Sequence, residues 1–375
     1  MSAPKLELAG IRKDYSDGAV VAVDGIDLVV ERGETVALLG PSGCGKSTAL
    51  SMIVGLERPS AGDIRIDGRS VVDVPAGRRD VGLVFQDYAV FTHMSVADNL
   101  AFGLSVRGLP KAEIARRVGE TAELLGLTDT LREKASRLGG SQLQRVAIGR
   151  TLVTRPAILL LDEPLSNLEA EARLAMRREL RRLQSEIDLT IVYVTHDQVE
   201  ALSLASRIAV MSAGKIRQYA PTAQVYDAPE HVFVARFIGS PGMNLVEGAL
   251  VRDADGARFS RGRIDVALSP LALARAPAEE AIVLGIRPEA LAIADPHEPS
   301  TAGAVEGRIL SVSPRGPEAV VTLGIDDVRL VALVEARRRP QEGARVSVSF
   351  ASDAIVVFCG ESGRNLAHPA SGRLS

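Results

Sequence analysis

The stretch TVALLGPSGCGKST, Thr35 to Thr48, constrains this chain more than any other. A short run suited to a buried strand meets a glycine-rich loop, and a helical run follows, which is the context that GxxxxGK(S/T) requires. Gly40, Gly43 and Gly45 let backbone N–H groups wrap a β-phosphate, with Ser42, Cys44 and Thr48 completing the loop. Lys46 reaches the β- and γ-phosphates, and Ser47 can ligate magnesium. Of the 44 basic residues only Lys5, Lys13, Lys46, Lys111, Lys134 and Lys215 are lysines, so a lysine in this loop is informative. Cys44 occupies a free position of the motif and reads as a small filler, not a nucleophile.

The surrounding pattern supplies the sheet that such a loop needs. From Lys5 to about Ser212, strand-like runs (AILLLD, TIVYVTH, RIAVM) alternate with helical segments, the pattern of a parallel sheet covered by helices. Between about 87 and 157 the strand signals stop and helical spacing takes over, which predicts an inserted helical subdomain. Gly and Pro punctuation in FIGSPGMN, Phe237 to Asn244, predicts a linker. Alternating strands from Leu245 to about Cys359 predict a small β barrel or sandwich, and residues 361–375 read as a disordered tail. At 375 residues two domains are expected. A net charge of -3 argues against nucleic acid as a partner, and two cysteines fit a reducing compartment. Neither a basic-then-apolar leader nor a spanning apolar run is visible, which predicts a soluble, cytoplasmic chain.

Further residues can be placed at the phosphate loop. Asp162 and Glu163 close the apolar run AILLLDEP, where a carboxylate leaves the C-terminal edge of a parallel sheet. Asp162 there would hold magnesium, and Glu163 would polarise the attacking water. TIVYVTHDQVEA repeats the geometry, with Thr195 and Gln198 at capping-box spacing and His196 at a helix start near the γ-phosphate. Gln86 follows another strand and by itself reads as a solvated loop residue; Tyr15 stacks on adenine or packs on the sheet, and the residues alone leave both open. Ser136 to Arg150, SRLGGSQLQRVAIGR, is a second glycine-rich helix start and so a second anion site in need of its own ligand.

Taken in order, the loop at Gly40 to Thr48, Gln86, the region Leu138 to Gln142, Asp162 with Glu163, and His196 resemble the nucleotide-binding subunit of an ATP-binding cassette importer. GIRPEALAIA and FIGSPGMN are similar to the accessory domain of the carbohydrate-importing branch, typified by maltose and glycerol-phosphate transporters. The resemblance implies an α/β P-loop NTPase cassette over 1–238, with the helical subdomain inside it, and an all-β, OB-like domain of TOBE type over 245–360. It implies ATP and Mg2+ as ligands, Lys46, Gln86, Glu163 and His196 as catalytic residues, and Ser47, Gln86 and Asp162 around the metal. It further implies a head-to-tail dimer in which Gly139, Gly140, Ser141 and Gln142 serve the partner's γ-phosphate. The remaining implied partners are integral-membrane permease subunits, which hold the chain peripherally on the cytoplasmic face, and indirectly an extracytoplasmic substrate-binding protein.

Two departures from the family pattern stand out. Leu138 to Gln142 spell LGGSQ where LSGGQ is usual, which predicts weakened closure of the dimer because Ser141 adds a Cβ at a normally bare position. In PLSNLEA, Glu169 replaces the usual Asp, and Ser166 with Glu169 also fits a capping box. The arginine-rich helix 171–187 holds three glutamates and reads as a solvated face. His93 lies in the subdomain that by resemblance receives a permease helix, and Arg287 to Glu289 read as a salt-bridged turn. Other readings are an importer ATPase for polyamine or an inorganic ion, or a catalytically weakened nucleotide switch. A cassette protein of DNA repair or translation would need a coiled-coil insertion or a tandem cassette, and neither appears.

Overall fold

The computed structural model describes residues 3–16, 18–253, 256–273, 281–294 and 304–367. The chain divides into two compact units, residues 1–222 and 223–375. The division falls earlier than the 238 expected from punctuation, because residues beyond 222 pack with the C-terminal sheets.

In the first unit, β1 (Leu6–Tyr15) lies between β2 (Val20–Val30) and β4 (Ala61–Ile66), with β5 (Arg69–Ser70) outside β4. The second sheet takes β3 (Thr35–Leu39), β6 (Val81–Val84), β7 (Ile158–Asp162), β8 (Thr190–Thr195), β9 (Arg207–Ser212) and β10 (Lys215–Pro221) in the order β10-β9-β3-β8-β7-β6. All its pairs are parallel except β10 with β9. Strands such as ILLLD are buried on both faces, so they read as continuous apolar runs without alternation. Between the two sheets runs α1 (Lys46–Val54), whose Leu50, Met52 and Ile53 join a core made from both sheets. A helix apolar on most sides belongs in an interior, and each of these side chains contributes about 2 kcal/mol by burial.

Between β6 and β7 the chain forms α2 (Val96–Val106), α3 (Lys111–Leu124) and α4 (Gly140–Leu152). Ser95 caps α2 by accepting from Asp98 N at 3.1 Å, whereas the α4 N-terminus, at Gly139, has no side-chain cap. α5 (Ala170–Ile187) connects β7 to β8, and α6 (Gln198–Leu204) follows β8.

The second unit starts with the short helices α7 (Thr222–Asp227) and α8 (Val232–Phe237). One five-stranded antiparallel sheet has the order β13-β12-β11-β14-β20, from β11 (Asn244–Asp253), β12 (Gly256–Arg261), β13 (Ile264–Leu268), β14 (Ala281–Ile286) and β20 (Ile355–Cys359). The other, β15-β19-β16-β17-β18, uses β15 (Leu291–Ala294), β16 (Val305–Arg315), β17 (Glu318–Ile325), β18 (Val328–Glu335) and β19 (Arg345–Phe350). Both sheets feed one core that includes Phe259, Leu284, Leu323 and Val357. Asn244, expected in a linker, is buried and links the sheets, donating to Ile286 O and Val331 O and accepting from Val331 N.

Two further expectations for this unit are corrected. Arg287 is not the cation of a salt-bridged turn. Its guanidinium donates to the carbonyls of Tyr226, Ala235 and Ile238, the unsatisfied acceptors at the ends of α7 and α8, while Glu289 accepts from Tyr226 OH at 2.6 Å. Nor does a disordered tail begin at 361. Asn365 donates to Pro229 O at 2.8 Å and Leu366 is buried in the core, because apolar contact and paired amides repay the ordering. The rest of that expected tail, 368–375, lies outside the described residues.

The capping boxes are also corrected. β8 runs through Thr195, so the cap of α6 is Asp197, whose carboxylate accepts from Val199 N and Glu200 N. Ser166 donates to Glu163 O instead of capping, and α5 starts beyond Glu169 without a side-chain cap. Thr195 donates to the buried carboxyl of Glu200 at 2.8 Å. Burial pushes that carboxyl up to about 7, aided by Asp197 and opposed by the Thr195 hydroxyl and by Arg177 and Arg173. A carboxyl raised in the fold loses stability as pH climbs from its unfolded value towards 7, here on the order of 3 kcal/mol in all. Glu200→Gln is therefore expected to gain in Tm relative to wild type between pH 5 and pH 8. A Tm difference that stays constant over that range contradicts the assignment.

Candidate functional site

Register decides where the site forms. Leu39 pairs with Thr195 and Asp162 with Val194, so the ends of β3, β7 and β8 lie side by side at the C-terminal edge of the sheet. Three loops leave there: Gly40 to Gly45, Glu163 onward, and His196 with Asp197. Ligands of open α/β sheets bind at this edge.

The phosphate loop closes on itself tightly. A Cβ on Gly40 would come 2.3 Å from Met211 O, and one on Gly45, whose φ is +103°, would come 2.3 Å from Ala22 O. Only glycine meets both demands. Lys46 is buried and its Nζ donates to Gly40 O at 2.8 Å and Pro41 O at 2.9 Å. Cys44 points inward, and burial pushes its thiol up, which fits a filler and not a nucleophile. The loop borders a cleft of about 290 Å³ lined by Ala22, Ser42, Gly43, Gly45, Lys46, Ser47, Thr48 and Glu163.

Two carboxylates meet this cleft. Ser47 Oγ donates to Asp162 Oδ1 at 3.3 Å. Burial raises the Asp162 carboxyl, opposed by that hydroxyl and by Lys46 and reinforced by Glu163. Glu163 adopts a left-handed backbone, φ +45°, with its N–H held by Val194 O at 3.0 Å. Its Oε2 accepts from Gln86 Nε2 at 3.2 Å, and its Oε1 lies 3.1 Å from His196 Nδ1. Asn167 Nδ2 donates to Gln86 O at 2.9 Å, which fixes the strand exit that carries Gln86.

The structure thus brings together Lys46, Ser47, Asp162, Glu163, Gln86 and His196. It does not bring in Gly139, Gly140, Ser141 or Gln142, none of which lines the cleft. A Cβ on Gly139 would meet nothing within 4 Å, and one on Gly140 only Leu168 at 3.9 Å, so this helix start is open towards the outside of the chain. Tyr15 ends β1 with its ring under Lys13 Nζ, 4.9 Å away, and does not line the cleft. Ala22, Asn167 and Asp197 were not singled out from sequence. Only Asp197 left a local signal, an acceptor side chain directly before a helical run.

The donor set suits a hard cation. A hydroxyl and a carboxylate oxygen 3.3 Å apart, beside a phosphate loop, match magnesium, which takes one or two carboxylates and fills its shell with phosphate oxygens.

Comparisons with known proteins agree with this geometry. The ABC transporter family profile matches residues 23–166, the MalK OB fold domain 239–291 and the TOBE domain 284–358. The chain is 41% identical to the xylose/arabinose import ATP-binding protein XacK of Haloferax volcanii, over 96% of this chain and 94% of that one. It is 44% identical to the sn-glycerol-3-phosphate import ATP-binding protein UgpC 3 of Rhizobium johnstonii, over 96% and 98%. For the trehalose/maltose import ATP-binding protein MalK of Thermococcus litoralis the figures are 43%, 91% and 94%. Among solved structures, cbiO1 of Clostridium perfringens, part of the ABC transporter complex cbiONQ, is 30% identical with a TM-score of 0.55, covering 60% of this chain and 90% of its own. With the phosphate loop, the paired carboxylates and the family profiles in one chain, the protein belongs to the ABC transporter family, among the ATP-binding subunits that carry a MalK-type OB fold.

Proposed function

We propose that this chain hydrolyses ATP in the cleft at Lys46 and couples that reaction to import of a sugar or sugar derivative through a membrane permease. The observation that carries the reading is Glu163, whose two carboxylate oxygens face Gln86 and His196 at the mouth of the phosphate loop. The names of the relatives, for xylose/arabinose, glycerol-3-phosphate and trehalose/maltose import, support the substrate class.

The amides of Ser42 to Thr48 and the Lys46 ammonium bind the phosphates. Ser47, Asp162 and Gln86 would hold magnesium, which would offset charge on the phosphate oxygens. Glu163 takes a proton from the attacking water, the water oxygen bonds to the γ-phosphorus, and the bond to the ADP oxygen breaks, releasing phosphate. Gln86 and His196 keep the Glu163 carboxylate aimed. Tyr15 contributes a face for adenine.

The site is completed by a second copy. Gly139, Gly140, Ser141 and Gln142 open α4 without a side-chain cap, so its free N–H groups and dipole suit the γ-phosphate held by the opposite loop. The permease docks over α2 and the segment after β6. There Phe85 and Phe102 are exposed beside a hollow of about 160 Å³ that also takes in Tyr88 and Arg150. Among the described residues no helix is long and apolar enough to cross a membrane, so we place the chain peripherally at the cytoplasmic face through that permease. An extracytoplasmic binding protein delivers the substrate.

Glu163→Gln is expected to lower turnover of the assembled transporter by at least about 100-fold while ATP affinity stays within about threefold. Loss of less than about tenfold contradicts the general-base role and favours a nucleotide switch. The altered signature gives a second test. Exchanging Gly139→Ser together with Ser141→Gly is expected to raise ATPase and transport rates about fivefold, the equivalent of one restored hydrogen bond. Unchanged rates contradict weakened closure.

A further inference from the structure

Arg173 lies one turn into α5, just after the loop 164–169 that leaves Glu163, and it faces two ways. Its Nη2 donates to Leu168 O at 3.1 Å, and its Nη1 lies 3.7 Å from Asp197 Oδ2. The Asp197 carboxylate is divided between two tasks. Oδ1 accepts from Val199 N at 2.8 Å and Glu200 N at 3.1 Å, which caps α6, and Oδ2 is left to the arginine. On the other side of His196, Thr195 Oγ1 accepts from Asp197 N at 3.0 Å and donates to Glu200. His196 is therefore an exposed side chain on a backbone pinned at both neighbours.

At its other end the loop is tied to the backbone carbonyls of two site residues. Ser166 Oγ donates to Glu163 O at 3.0 Å, and Asn167 Nδ2 donates to Gln86 O. Leu168 O then hands the chain of contacts to Arg173. Helix stability does not explain an arginine here, since a cation near a helix N-terminus opposes the macrodipole. Its planar fork does explain it, because one guanidinium can hold a carbonyl and a carboxylate at once and an ammonium cannot do so with the same geometry.

We propose that Arg173 is a positioning residue that couples the loop 164–168 to His196 through Asp197, so that the alignment of His196 on Glu163 follows the seat of that loop. The inference rests on the site reading above, in which His196 aims Glu163. Movement of Leu168 then reaches His196 through two side chains, without contact between the loop and the imidazole.

The test uses the full chain with 13C-labelled imidazoles, five histidines in all, and assigns His196 by its loss in His196→Ala. Arg173→Met is expected to move or broaden the His196 resonance and leave the other histidine signals in place. In the assembled transporter the same variant is expected to lower kcat about tenfold or more with KM for MgATP unchanged within about twofold. Arg173→Lys is expected to fall between Met and wild type in both measurements, and it decides the matter if Arg173→Met does not fold. An unmoved His196 signal overturns the proposal, as does an unchanged kcat or a rise in KM alone. Wild-type turnover in His196→Ala would instead overturn the site reading, and the resonance would still decide whether Arg173 positions His196.

Discussion

Leu39, Asp162 and Thr195 end three neighbouring parallel strands at one level, and each charged group of the cleft inherits its position from that register. The strands are buried on both faces, so their apolar runs lock the sheet, and the one hydroxyl in mid-strand, that of Tyr193, donates to Glu200 O. The charged groups are deferred to the strand ends. Lys46, the adjacent pair Asp162 and Glu163, and His196, three places far apart in sequence, thereby meet at one edge.

At that edge the backbone bears local strain. Glu163 holds a left-handed conformation that costs a residue with a Cβ roughly 1 to 3 kcal/mol, and its N–H bond to Val194 O keeps it there. The turn lifts the carboxylate off the line of β7 and directs it towards Gln86 and His196, whereas Asp162, one residue earlier, stays with Ser47. Two adjacent carboxylates are thus separated into different tasks by one backbone torsion. The positive counterpart is Lys46, whose ammonium is buried against backbone carbonyls and adds its charge to the N-terminus of α1.

Much of this was legible because it is local. The phosphate loop, the strand ending in Asp162 and Glu163, and the strand ending before His196 each fit within a dozen residues, and elementary propensities suffice to place them. What escaped reading depends on partners distant in sequence. Thr195 looked like a cap until β8 proved to run through it, which hands the cap to Asp197. Arg287 looked like half of an ion pair, but its partners are the carbonyls at the ends of two short helices some 50 to 60 residues earlier. Asn365 and Leu366 looked like tail because their companions, Pro229 and the strand β20, give no sign in the neighbouring sequence. The LGGSQ departure was visible at once, yet its consequence belongs to a surface that a single chain leaves open.

That open helix start at Gly139 and Gly140, set against a cleft lined without it, is the basis for the proposal that two chains share the site. The most direct measurement is the ATPase rate per chain over a dilution series, with the dimer fraction followed by sedimentation at each concentration. The account requires the rate per chain to track the dimer fraction and to vanish as the copies separate. A constant rate per chain through full dissociation would show that one copy carries the whole site and would contradict the account.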